Sequence, residues 1–115
     1  MVLYFQRGYD QLNVNELHTA VNTVVSSPSS TITLTNTTTY LVLQLTSTGN
    51  QTVNLPSVSG LNGRMFIFYK TESGGTVTIQ ANGTNKIDGT STKTISSQYG
   101  TITIISDGNA NWLIV

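Results

Sequence analysis

From Pro28 onward the period of the chain is two: in a series of short segments, apolar side chains recur at every second position. Ile32 and Leu34 alternate with Thr31, Thr33 and Thr35. Leu41, Leu43 and Leu45 alternate with Val42, Gln44 and Thr46, and Val53 and Leu55 with Thr52 and Asn54. Val77 and Ile79 alternate with Thr76, Thr78 and Gln80, and Ile102 and Ile104 with Thr101 and Thr103. Successive side chains of a strand point to opposite faces, so each segment reads as a half-buried strand with a Thr-rich outer face, which suits β-branched Thr. Met65–Tyr69 is an unbroken apolar run and reads as a strand covered on both faces. Asn111–Val115, with Trp112, reads as a terminal strand. Turn sequences separate the strands: Thr48-Gly49-Asn50, Leu61-Asn62-Gly63, Ser73-Gly74-Gly75, Asn82-Gly83, Asp88-Gly89 and Asp107-Gly108-Asn109. Gly and Asn tolerate the positive φ of tight turns. Roughly eight or nine short strands at such spacing predict a mainly β fold, an antiparallel β-sandwich or jelly-roll-like body over residues 28–115.

The first 27 residues carry a different period and read as an N-terminal arm followed by one short helix. Asn13 and Glu16 have capping-box spacing, Leu12 and Leu17 have hydrophobic-staple spacing, and Val14, Leu17, Val21 and Val24 form one stripe at helical period. Ser26, Ser27 and Pro28 end the pattern, so the spacing predicts a helix over 13–25. β-branched residues at both seam positions lean toward three-stranded association. Val14, Leu17, Val21 and Val24 are therefore candidates for an oligomer interface, with packing on the chain's own sheet as the alternative. Ahead of them, Tyr4, Phe5, Arg7 and Tyr9 form an aromatic arm that either adds an edge strand to the body or docks on a neighbouring subunit.

Charged residues make up 9% of the chain, against about 25% in an ordinary soluble domain, and the two signs cancel. With no surplus of Lys and Arg to displace counterions, a nucleic-acid partner is not expected. No apolar run approaches the roughly 18 residues of a membrane helix, so no membrane insertion is expected. Without Cys there are no disulfides or thiolate sites. His18 is the sole histidine, which leaves no converging metal ligands and no Ser-His-Asp arrangement. Glu16 has a capping role, and Asp88 and Asp107 precede Gly in turns. Glu72 follows Lys70 at the end of a strand, and no two of the five carboxylates are expected to face each other across a substrate. No catalytic residue, metal or cofactor is expected. Thr-x-Thr occurs at Thr31/Thr33, Thr76/Thr78, Thr92/Thr94 and Thr101/Thr103. These pairs resemble the arrays of ice-binding β-solenoids, but their unequal intervals favour ordinary outward strand faces. A surface this poor in charge defends its strand edges weakly against other chains, which points to self-association.

The second half adds a resemblance. Leu55-Pro56, then Leu61-Asn62-Gly63-Arg64 leading into the apolar run through Lys70, are followed by Gly75-Thr76-Val77-Thr78-Ile79 and Ile87-Asp88-Gly89-Thr90. Ser97-Gln98-Tyr99-Gly100, Thr101-Ile102-Thr103-Ile104 and Ser106-Asp107-Gly108-Asn109 complete the series before Trp112. This ordered set, over about half of the chain, resembles the β-structured head domains of bacteriophage and large-virus virion proteins, found at tail-fibre ends and in capsid-attached proteins. The resemblance implies a virion structural role, frequently as a homotrimer, and supplies no catalytic residue. A helix about 18 Å long cannot serve as a fibre shaft. The expectation is therefore a decoration or cement protein on the capsid surface, bound to the major capsid protein or another virion protein. The alternative is the receptor-binding head of a tail fibre or spike, reading cell-surface glycans through loop residues such as Asn82, Asn85 and Asn109 and an aromatic such as Trp112 or Tyr99, with core packing as the other reading of Trp112.

Overall fold

The computed structural model describes residues 20–24 and 30–115. Among them the strands are β1 (Ala20–Val24), β2 (Ser30–Thr33), β3 (Tyr40–Leu45), β4 (Gln51–Asn54), β5 (Met65–Lys70), β6 (Val77–Gln80), β7 (Lys86–Ile87), β8 (Thr92–Ile95), β9 (Thr101–Ser106) and β10 (Asn111–Ile114). They form a six-stranded sheet in the order β1-β3-β5-β9-β10-β7 and a four-stranded sheet in the order β2-β4-β6-β8.

The pairing is mixed. Three successive strand pairs, β1/β2, β3/β4 and β5/β6, each place their first strand in the larger sheet and their second in the smaller. Each pair lies parallel to the next: β1 on β3, β3 on β5, β2 on β4 and β4 on β6. A parallel neighbour requires a crossover. Here the strand in the opposite sheet supplies it, so the chain coils in stacked rungs. After β6 the direction reverses. β8 runs antiparallel to β6, β9 antiparallel to β5, and β10 antiparallel to β9, while β7 runs parallel to β10. The mainly β expectation holds, but the body is solenoid-like with mixed sheets rather than an all-antiparallel sandwich or jelly roll. Alternation in a sequence reports which face is buried and carries no information on strand direction.

The predicted helix is corrected where it can be seen. Ala20–Val24 is strand β1, with Val21 opposite Val42 and Val24 opposite Leu45, and no helix occurs among the described residues. The three- and four-residue steps of the valines fit a helix, but β-branched side chains lose rotamer freedom there, and β3 offers the backbone a full partner instead. Val14 and Leu17 lie outside the described residues.

The core is the set of inward alternating positions. Leu43 and Leu45 from β3, Val53 and Leu55 at β4, Phe66 and Phe68 from β5, Val77 and Ile79 from β6, and Ile87, Ile95, Ile104 and Trp112 are all buried. Phe66 packs against Trp112 with ring centroids 5.6 Å apart. The run in β5 is covered on one face only: Phe66, Phe68 and Lys70 point inward, while Met65, Ile67 and Tyr69 remain half-buried on the other side. Arg64 closes one end of the core, its guanidinium 4.5 Å above the Phe66 ring and its Nη2 donating to the Tyr40 carbonyl at 2.6 Å.

Where β3 turns into β4, β5 into β6, and β8 into β9, the corners stack. The Thr71 amide donates to the Leu45 carbonyl, and the Gln51 amide to the Thr76 carbonyl. The Thr76 amide donates to Asn50 Oδ1 at 2.9 Å. On the other side the Lys70 amide donates to the Gly100 carbonyl and the Tyr99 amide to the Lys70 carbonyl. Lys70 itself is 1% exposed. Its Nζ donates to the Glu72 carbonyl and to the Gly74 carbonyl at 2.7 Å, so the ammonium satisfies the inward-facing carbonyls of its own corner.

Candidate interaction faces

Alternation fixes what each sheet shows outward. On the six-stranded sheet the outward positions of the central strands are Tyr40, Val42 and Gln44 (β3), Met65, Ile67 and Tyr69 (β5), Thr101, Thr103 and Ile105 (β9), and Asn111 and Leu113 (β10). Register joins them into rows: Val42 beside Ile67 beside Thr103, and Met65 beside Ile105 beside Leu113. Val115 continues past β10, its amide donating to the Thr103 carbonyl. Leu113 is 41% and Val115 69% exposed. No charged residue occupies an outward position of these four strands. Arg64 and Lys70 fall on the inward parity, and the exposed Lys86 stands on the short edge strand β7, where an edge Lys discourages pairing with another strand.

One corner residue extends this face. Tyr99 is 63% exposed and stacks on Tyr69, with centroids 6.2 Å apart and rings inclined by 27°. Its φ is 64°, in the left-handed region that a bulky side chain rarely adopts. Such backbone costs on the order of 1–3 kcal/mol and is retained where the surroundings demand it. Here the two backbone bonds between Tyr99–Gly100 and Lys70 hold the corner, and the ring is displayed beside Tyr69. Tyr has no intrinsic preference for positive φ, so the sequence carries no signal for this arrangement.

The four-stranded sheet is the opposite in chemistry. Its outward positions form two cross-strand rows: Thr31, Thr52, Thr78 and Thr94, and Thr33, Asn54, Gln80 and Thr92. Neighbours across the sheet are about 4.8 Å apart, and neighbours along a strand about 6.6 Å. Irregular spacing in the sequence thus becomes a regular grid. Unequal corner lengths absorb the irregularity, and Thr52 joins the row without belonging to a Thr-x-Thr pair. Thr101 and Thr103 fall on the other sheet.

The turns are ordered by their own side chains. Asp107 Oδ1 accepts from the amides of Asn109 at 2.8 Å, Ala110 at 3.0 Å and Asn111 at 3.0 Å, and Oδ2 accepts from Asn111 Nδ2 at 3.1 Å. The amides of Asn111 and Asn109 are the chief reason its pKa is lowered from 3.8 to about 2. Asp88 Oδ1 accepts from the Ile114 amide at 3.1 Å. Both aspartates are used by backbone, as their place before Gly suggests. Among the described residues no three His, Cys, Asp or Glu side chains gather at a position that could hold a metal ion.

The proposed site residues distribute as follows. Tyr4, Phe5, Arg7 and Tyr9, with Val14 and Leu17, lie outside the described residues, and Val21 and Val24 are on β1. Asn82 and Asn109 are exposed in neighbouring turns, joined where the Lys86 amide donates to the Ala110 carbonyl. Asn85 is half-buried, and its Oδ1 accepts from the Val58 amide at 3.1 Å. Trp112 is fully buried against Phe66 and presents no ring to a glycan. The structure does not bring these four together as one surface site. No family model, curated protein or solved structure matches the chain.

Proposed function

We propose that this chain is a non-catalytic structural module of a virion, a decoration or cement protein that associates with copies of itself and binds the capsid lattice. The observation that carries the reading is the outward face of the six-stranded sheet, where Val42, Met65, Ile67, Ile105 and Leu113 lie among uncharged polar neighbours beside the stacked Tyr69–Tyr99 pair, and the outward positions of the central strands bear no charge. An uncharged face can meet another copy of itself without opposing like charges. Buried there, Ile67, Leu113 and Val115 would leave water at about 25 cal/mol for each Å² of apolar surface. The ordered motifs from Leu55 to Trp112 supply the virion context, and the homotrimer is the stoichiometry they imply. Antibody labelling of purified particles tests the location: gold on the capsid surface supports the reading, and particles free of label contradict it.

A receptor-binding head is the second reading, favoured by one observation, the exposed aromatic ring of Tyr99. Trp112 drops out of it by burial. A glycan array with no signal removes this reading, while saturable binding lost in Tyr99→Ala would replace the first.

A further inference from the structure

The chain holds two Asn-Gly pairs, Asn62-Gly63 and Asn82-Gly83, and the structure treats them differently. In Asn-Gly the Gly amide nitrogen can attack the preceding side-chain amide carbon, because no Cβ shields it. The Gly63 amide is engaged: it donates to the Ser106 carbonyl at 2.8 Å. The Asn62 side chain is also crowded, since a Cβ on the facing Gly108 would lie 2.6 Å from Asn62 Cβ and 3.1 Å from its Cγ. Neither restraint exists at the second pair. Both asparagines are exposed and both glycines have open space where a Cβ would stand, but at the second pair no hydrogen bond engages the Gly83 amide or the Asn82 side chain among the described residues. Gly83 has φ 54° at the first central position of a turn closed by the Asn85 amide on the Asn82 carbonyl at 2.8 Å, so the tip projects freely into solvent.

We infer that Asn82 is a site of spontaneous modification, converting to aspartate and isoaspartate in the folded protein while Asn62 is protected. The Gly83 nitrogen gives up its proton and bonds to Asn82 Cγ. The Cγ–Nδ2 bond breaks and ammonia departs with that proton, leaving a five-membered succinimide. Water then opens the ring at either carbonyl. One opening yields aspartate with the backbone unchanged, and the other yields isoaspartate, with the main chain rerouted through the side-chain carbon. No oxidant or cofactor enters. Either product adds one negative charge to a chain whose formal net charge is zero. It does so two residues beyond Gln80, at the margin of the charge-free Thr, Asn and Gln grid. Isoaspartate also lengthens the main chain inside the turn that joins β6 to β7, whose Asn85 side chain anchors Val58.

The test is peptide mass mapping of the intact protein after timed incubation in mildly alkaline buffer, with a second sample held in denaturant. In denaturant both pairs should gain the mass of an amide-to-acid exchange at comparable rates. In the folded protein Asn82 should convert at least about tenfold faster than Asn62, because Asn62 must first open a bonded, packed turn. A matching acidic variant should appear on ion exchange and be absent from Asn82→Ser. Folded protein in which Asn82 stays intact while its denatured counterpart converts, or in which Asn62 keeps pace with Asn82, would overturn the assignment.

Discussion

Gly75 lies so tightly against Gly49 of the preceding corner that a Cβ on Gly75 would run into the Gly49 carbonyl. This contact sets how closely two successive rungs can stack. Gly75 also has φ 71°, so a side chain there meets both backbone strain and a wall of main-chain atoms that cannot rotate away. Gly75→Ala should destabilise the fold by about 2–5 kcal/mol, from left-handed strain and overpacking together. Urea unfolding read by circular dichroism measures it. Gly83→Ala, at a positive φ with open space around it, should cost no more than the strain alone, about 1–2 kcal/mol.

Lys70 is buried because its corner has carbonyls to offer. Replacing it with Met keeps the stem but leaves the Glu72 and Gly74 oxygens without their donor. Loss of charge-assisted bonds outweighs relief from burying an ammonium when the acceptors stay in place. Lys70→Met should lower stability by about 2 kcal/mol, measured as a shift in urea midpoint with an unchanged slope.

Asp107 ties acid stability to one turn. Its folded-state pKa is about 2 against 3.8 for the unperturbed side chain. A depressed pKa means that the group contributes stability above its unfolded value, and that the contribution disappears as pH falls from about 4 through about 2. Asp107→Asn should therefore lower stability at neutral pH and flatten the loss below pH 4, so that the variant and parent curves converge near pH 2. Thermal unfolding across that acid range checks the convergence, and parallel curves would refute it.

Trp112 fills the core, yet its indole Nε1 finds no hydrogen-bond partner among the described residues. A buried donor left unpaired costs about 1–3 kcal/mol. Trp112→Phe removes that cost while retaining most of the packing against Phe66, so it should be close to neutral. Trp112→Ala opens a cavity and should cost about 3–5 kcal/mol. Far-ultraviolet circular dichroism is the suitable probe, since the substitution removes the chain's sole Trp.

The strand faces were legible and the strand directions were not. Leu43, Leu45, Val53, Leu55, Val77, Ile79 and Ile104 are buried as period-two alternation predicts. That alternation is equally compatible with a hairpin and with a parallel rung. Ser73-Gly74-Gly75 reads as a hairpin turn, yet it carries the chain from one sheet to the other, because Gly at 74 and 75 permits the close stacking on Thr48 and Gly49. Val21 and Val24 fit a helical stripe when read alone; backbone pairing with β3, distant in sequence, decides for a strand. Of the candidate faces, the Thr-rich character was visible and the grid was not, because register depends on corner lengths. The exposed Tyr69–Tyr99 pair depends on a positive φ that Tyr does not advertise. Trp112 illustrates the reverse: a residue suited by type to bind sugar is held in the core by its inward parity on β10.

Self-association through the outward face of the six-stranded sheet is the centre of the proposed function, and sedimentation equilibrium tests it most directly. The parent chain should sediment as an oligomer, with a trimer as the expected species. The double variant Ile67→Lys, Leu113→Lys places one charge in each of the two rows, on a face that the core does not need. It should sediment as a folded monomer, its strand signal in circular dichroism unchanged. A parent chain that remains monomeric at high concentration, or an oligomer that the two lysines leave intact, would contradict the account.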